Sequence, residues 1–291
     1  MPLTIKSSFI GNNLYGSSSS RSFWHLAKNI NSNFTSSSFL PLQLPDGSTA
    51  VLPSSKAELF AETFAANSTL DDSGVVPPIF PVSDSFIPEI DISYAEVVSA
   101  LSELDTQKAY GPDGIPPVVL KSCARQLAPC LRRLFRLCLS SSSFPSCWKR
   151  ALIQPVPKKG DPSLPSNYRP IALTSILSKV FESILNGKIW KYLDSSEKIS
   201  DRQYGFRKER STGDLLTLLS NKWSSSIQNY GETFAVALDI SKAFDRVWHR
   251  ALISKLPSFG FYPSLCNLIS DFLSGRSIAA VVDGLRSSSK L

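Results

Sequence analysis

The segment from Phe234 to Asp245, F-A-V-A-L-D-I-S-K-A-F-D, carries a carboxylate, Asp239, at the end of an apolar alternation. Phe234, Val236 and Leu238 fall on one face of an extended chain, and Ala235, Ala237 and Asp239 on the other. The pattern predicts a short strand, then a turn and a basic amphipathic helix. A carboxylate beside two alanines, with no Lys or Arg on its own face, suits a hard divalent cation. Asp245 stands just ahead of V-W-H-R-A-L-I-S-K-L, where capping that helix is the alternative role. Asp239 stands too early in the chain to be the cap.

Basic side chains supply the second kind of chemistry. The 291-residue chain has a formal charge of +7. Residues 149–210 hold 13 basic and 6 acidic groups, whereas residues 1–107 hold 4 basic and 11 acidic ones. The middle of the chain is therefore suited to a polyanion, and the bland alternative is a solvated basic face. Aromatic residues Trp148, Tyr168, Phe181, Trp190, Tyr192, Tyr204 and Phe206 interleave with the basic block, so stacking partners for bases are at hand.

Other chemistries find little support. The five cysteines, at 123, 130, 138, 147 and 266, form no C-x-x-C pair, and with only His25 and His249 there is no zinc pattern. Cys130 and Cys138 share an apolar helical run with Leu127, Leu131 and Leu134, which predicts core cysteines. No signal peptide or 18-residue apolar stretch is visible, so an intracellular protein, nuclear or cytoplasmic, is expected. A phosphatase-like role with Asp239 as nucleophile is disfavoured, because Ser241 stands where a second acid would be needed.

The elements that must position these residues follow from capping and periodicity. Residues 1–53 are Ser- and Asn-rich with a P-D-G turn at 45–47, and little packed structure is expected there. Ser55 with Glu58 and Ser93 with Glu96 have capping-box spacing, predicting helices over about 56–66 and from Tyr94 onward. A proline-rich linker, Val75 to Pro88, separates them. Val118 to Leu139 has helical spacing, with Pro129 kinking it or opening a second piece. A-L-I-Q-P-V at 151–156 reads as a strand, K-K-G-D as its turn, and 171–173 as the next strand. Helices are expected at about 176–193 and 212–228, and a terminal hairpin around Asp283-Gly284.

The string L-D-I-S-K-A-F-D-R-V resembles the first catalytic motif of the reverse transcriptases of non-LTR, jockey-like retrotransposons. Four upstream segments agree in the family's order: K-A-Y-G-P-D-G-I-P at 108–116, W-K-R-A-L-I-Q-P-V-P-K-K-G-D at 148–161, N-Y-R-P-I-A-L-T-S-I-L-S-K-V-F-E at 167–182 and Q-Y-G-F-R-K-E-R-S-T at 203–212. The resemblance implies an α+β fold: right-hand polymerase fingers with a partial palm, built of helices and short antiparallel strands, after a flexible N-terminal region. It divides the chain into an irregular 1–53, a helical linker 54–107, fingers 108–230 and a partial palm 231–291.

It also implies roles. Asp239 and the carbonyl of Ile240 would be metal ligands for two Mg²⁺ ions, with Asp239 the catalytic carboxylate. Lys158, Lys159 and Arg169 would meet the nucleotide triphosphate, and Phe244 would crowd the sugar 2' position. Gln203, Gly205, Phe206 and Arg207 would lie by the template. Taken without the family, Phe244 reads as a core phenylalanine and Arg207, Lys208 and Arg210 as an exposed charged turn. The implied partners are an RNA template, a DNA primer and dNTP, with no membrane and an open oligomeric state.

The family continues after this motif with G-x-P-Q-G and a Tyr-Ala-Asp-Asp box, neither of which occurs here, and Asp271 and Asp283 stand in the wrong context to replace them. The expectation is a fragment, truncated before that box, that holds the ions poorly and does not polymerise alone. The alternative is a non-catalytic basic RNA- or DNA-binding remnant. Exposed apolar surface around Phe234 to Leu238, and hence poor solubility, is expected with either.

Overall fold

The computed structural model describes residues 39–290. A small hairpin, β1 (Leu42–Gln43) and β2 (Thr49–Ala50), turns at the P-D-G sequence, where Asp46 accepts from the Ser48 amide and hydroxyl. It is packed, contrary to the irregular segment expected before Ser54, since Leu42 and Ala50 are buried. The rest of the expected irregular region, 1–38, lies outside the described residues.

Helix α1 (Pro53–Ser68) starts earlier than the sequence predicts, because Pro53 occupies its first turn and Leu52 is the N-cap. The Ser55–Glu58 box does not form. Glu58 instead accepts from the amide and hydroxyl of Ser288. Helix α2 (Tyr94–Ser102) does form the predicted box, with Ser93 and Glu96 exchanging both bonds.

The 118–139 run is two helices, α3 (Pro117–Ser122) and α4 (Ala124–Ser141), broken at Cys123 and not at Pro129. Pro129 removes the amide that would bond the Arg125 carbonyl, and the Tyr94 hydroxyl donates to that carbonyl at 3.3 Å. Cys138 is buried, and burial pushes its thiol up to about 11, but Cys130 is exposed, because its position on α4 faces away from the core.

Strands β3 (Arg150–Pro157) and β4 (Tyr168–Leu173) pair antiparallel, with Val156 opposite Arg169 and Gln154 opposite Ile171. Helices α5 (Ile176–Ser195) and α6 (Thr212–Tyr230) follow as predicted, then the short α7 (His249–Lys255) and α8 (Pro263–Leu273). β5 (Ser277–Val282) pairs parallel to β3 and turns back at Asp283 and Gly284, both at positive φ, into β6 (Leu285–Arg286). The sheet order is β4-β3-β5-β6.

Two cores hold the body. Phe60, Phe64, Ala57 and Ala61 of α1 cover one face of the sheet, against Ala151, Ile153, Tyr168, Ala280 and Val282. Alternation in β3 explains the fit, since Ala151, Ile153 and Pro155 point inward while Arg150, Gln154 and Val156 point out. The second core joins α2, α4, α5 and α8, where Phe135 stacks on Phe181 with ring centroids 5.0 Å apart. Gly111 of the G-P-D-G loop sits against the β4–α5 junction: a Cβ there would lie 2.4 Å from the Thr174 carbonyl carbon. Its requirement is closeness, and of the two glycines in this loop only Gly114 has positive φ. Among the described residues, no helix is long and apolar enough to cross a membrane.

Candidate nucleic-acid interface

The segment carrying Asp239 departs most from expectation. Residues 232–240 form no strand, and Phe234, Val236 and Leu238 are exposed, Leu238 at 92%. The alternation is present, but no described strand pairs with it, and an extended chain becomes a strand only through a partner's hydrogen bonds. The expected apolar exposure is there. Asp239 and Ile240 are both exposed, and the Asp239 carboxylate is not drawn into an apolar interior. Asp245 does not cap α7; the N-cap is Trp248, and the Asp245 amide bonds the Lys242 carbonyl in a turn.

Helix α6, which leads into this segment, has a Ser211–Asp214 capping box and a left-handed Gly231 at its C-terminus. Those local devices define its ends. No residue from 193 to 259 is buried, and Leu216, Trp223 and Ile227 of α6 stand exposed.

The Q-Y-G-F-R turn folds back on itself. Gln203 donates to the Gly205 carbonyl, and Arg210 lies over the Tyr204 ring at 5.1 Å. Gly205 faces open space, so nothing in this state presses close enough to its backbone to require a glycine. Arg207 is not a free cation: it bonds Asp194 at 3.3 Å and Asp201 at 3.4 Å, and its side chain is 14% exposed. Phe206 takes a left-handed φ of 61°, costly for a bulky residue, and its ring is 82% exposed.

One pairing joins two motifs that lie far apart in sequence. Phe206 and Phe244 meet edge to face with centroids 5.8 Å apart, although Phe244 is itself 79% exposed. Phe244 is therefore not a core phenylalanine. On the sheet, Lys158, Lys159 and Arg169 are all exposed, and the Lys158 amide closes the β3–β4 end on the Asn167 carbonyl. The outward face of β3 and β4 adds Gln154, Val156 and Ile171 beside Arg169, a patch that the strand register reveals and the motifs did not.

Residues 156–290 match the sequence profile of the family described as reverse transcriptase (RNA-dependent DNA polymerase). This part of the chain is a reverse transcriptase domain. The chain is similar to the probable RNA-directed DNA polymerase from transposon BS of Drosophila melanogaster, 29% identical over 225 residues that cover 75% of this chain and 25% of the relative. It is also similar to the RNA-directed DNA polymerases from mobile element jockey of Drosophila melanogaster, 30% identical over 68% of this chain and 22% of the relative, and of Drosophila funebris, 28% identical over 92% and 30%. The chain thus spans less than a third of these curated relatives. The likeness agrees with the non-LTR, jockey-like resemblance read from five motifs.

The reverse transcriptase family uses divalent metal ions. Among the described residues there is no group of three or more His, Cys, Asp or Glu able to hold one. Asp239 is a single exposed carboxylate, and Asp271 is occupied elsewhere, bonding Lys149 at 2.8 Å and the Phe144 amide at 2.6 Å. The residues present do not fit a two-ion site.

Proposed function

We propose that the chain supplies the fingers, residues 108–230, and a partial palm, residues 231–291, of an RNA-directed DNA polymerase, and that its own contribution is to hold nucleic acid and nucleotide. The observation that carries this reading is the Phe206–Phe244 contact, which brings the Q-x-G-F-R turn against the motif that bears Asp239. Two exposed rings offer π-faces on which a base stacks. Lys158, Lys159 and Arg169 supply exposed cations for phosphates, with the Arg169 fork suited to two phosphate oxygens at once.

In this reading Phe244 crowds the sugar, Gln203, Gly205 and Phe206 face the template, and Arg207 organises the turn through Asp194 and Asp201 instead of meeting phosphate. Asp239 is the family's first carboxylate. With no group of three or more His, Cys, Asp or Glu able to hold a metal ion among the described residues, the chain alone does not extend a primer. The substrates implied are an RNA template, a DNA primer and dNTP, met in the nucleus or cytoplasm.

Two measurements on the purified chain test this. Fluorescence anisotropy with a labelled RNA–DNA primer–template should show salt-sensitive binding, and absence of binding at low salt would remove the reading. Primer extension with Mg²⁺ should give no product, and template-dependent extension would overturn the inactive part while keeping the polymerase assignment.

A further inference from the structure

We propose that Asp72 is a positioning residue for the Asp239 segment, an inference that rests on the assignment of that segment to the nucleotide site. The Trp248 indole Nε1–H donates to Asp72 Oδ2 at 2.6 Å, and Arg250 Nη1 reaches the same oxygen and the Asp72 carbonyl at 3.4 Å. The Lys242 ammonium donates to Asn67 Oδ1. Among the described residues, every side-chain hydrogen bond from residues 232–250 to another part of the chain ends on Asn67 or Asp72.

That matters because the segment has little other hold among the described residues beyond the surface contact of Phe244 with Phe206 and the packing of α7 on α8. Its side chains are unburied and residues 232–240 pair with no strand. Lys242 stands three residues after Asp239 and Trp248 nine, so the two attachments bracket the turn that carries Phe244. The post they attach to is firm. Asn67 is in the last turn of α1, whose Phe60 and Phe64 are buried against the sheet, and Asp72 lies five residues further on, past the extended Thr69 that ends the helix. The Asp72 side chain is 29% exposed, and a charged acceptor in a half-buried place makes a stronger hydrogen bond than a neutral exposed one.

Residues 67–72 lie outside the family match of 156–290 and inside the region the sequence presents as a linker. That stretch does more than connect two helices, because its contacts fix where the first motif sits relative to the sheet.

The test follows the ¹⁵N-indole resonances, with Trp248 assigned by Trp248→Phe, and the rate of limited tryptic cleavage after Lys242, Arg246 and Arg250. Asp72→Ala should move the Trp248 indole signal to its solvent position and raise cleavage at those three sites by about tenfold, in line with losing a hydrogen bond to a charged group. Asp72→Asn keeps an acceptor for the indole and should stay nearer the parent in both. If Asp72→Ala leaves both readouts unmoved, or speeds cleavage after Lys188 in α5 as much as after Arg246, the anchor does not exist. Neither readout needs bound nucleic acid, so a failed binding experiment, which would count against the functional reading, leaves this one intact.

Discussion

Helices α5 and α6 have nearly the same length, 20 and 19 residues, yet they stand in opposite surroundings. α5 buries Ile176, Val180, Phe181, Ile184 and Tyr192 between α2, α4 and α8. α6 buries nothing, and its visible support is local: a capping box at one end and a glycine cap at the other. Helices of this length are marginal in water without a packed face. The region that follows α6 carries Asp239, Ile240 and Phe244, so the motif residues stand where the fold is least held and the packed body stands behind them. Stability and binding should therefore separate by region, and substitutions can break or sharpen that division.

The largest effect belongs to the body. Phe181→Ala removes a ring stacked on Phe135 and close to Phe144 and Trp148, and should cost about 3 to 5 kcal/mol in denaturant unfolding. Phe206→Ala should change stability by no more than about 0.5 kcal/mol, since its ring is in solvent and its contact with Phe244 lies on the surface. Equal losses for the two would erase the distinction. Next comes Gly111→Ala, whose methyl group meets the Thr174 backbone. Backbone cannot swing aside as a side chain does, so about 1 to 3 kcal/mol should be lost and the start of α5 should loosen in hydrogen exchange.

The same division sets what the sequence could reveal. Where the chain packs on itself, period and capping were sufficient: β3, α5 and the Ser93–Glu96 box stand where the residue pattern put them, and β4 starts at Tyr168, ahead of the expected 171–173. Ser55–Glu58 has the same spacing, but Pro53 takes the first turn and Glu58 is drawn to Ser288, 230 residues away, which no local rule contains. The Phe234–Leu238 strand failed for a related reason, because alternation states which face is apolar and says nothing of a pairing partner. The five ordered motifs identified the family. They did not show that Arg207 is committed to Asp194 and Asp201, nor that Phe206 meets Phe244.

On the exposed side, Phe244→Ala should leave the melting temperature in place and weaken primer–template binding by about 1 to 3 kcal/mol, the usual worth of a stacked base. Replacing Lys158 and Lys159 together with alanine should flatten the dependence of log K on log salt by about 1 to 2 units if each meets a phosphate. Anisotropy titrations across a salt series read both. A loss of stability without a loss of affinity would place these residues with the body.

Acid provides the smallest and most specific contrast, because it weakens ties within the body. The Lys149 ammonium and the Phe144 amide hold the Asp271 carboxyl below its ordinary 3.8, and the Ser288 amide and hydroxyl hold Glu58 below 4.5. Both values are depressed by folding, so each contribution is full above the unfolded-state pKa and is lost as pH falls through the folded one. Stability should hold down to about pH 5 and then decline across 4.5 and 3.8. Asp271→Asn with Glu58→Gln should lower stability modestly at pH 7 and flatten that decline, as read by urea midpoints between pH 3 and 7. A decline of unchanged slope in the double variant would mean that other carboxylates tie the body together, and that the links from α1 to the segment after β6 and from α8 to the segment before β3 contribute little.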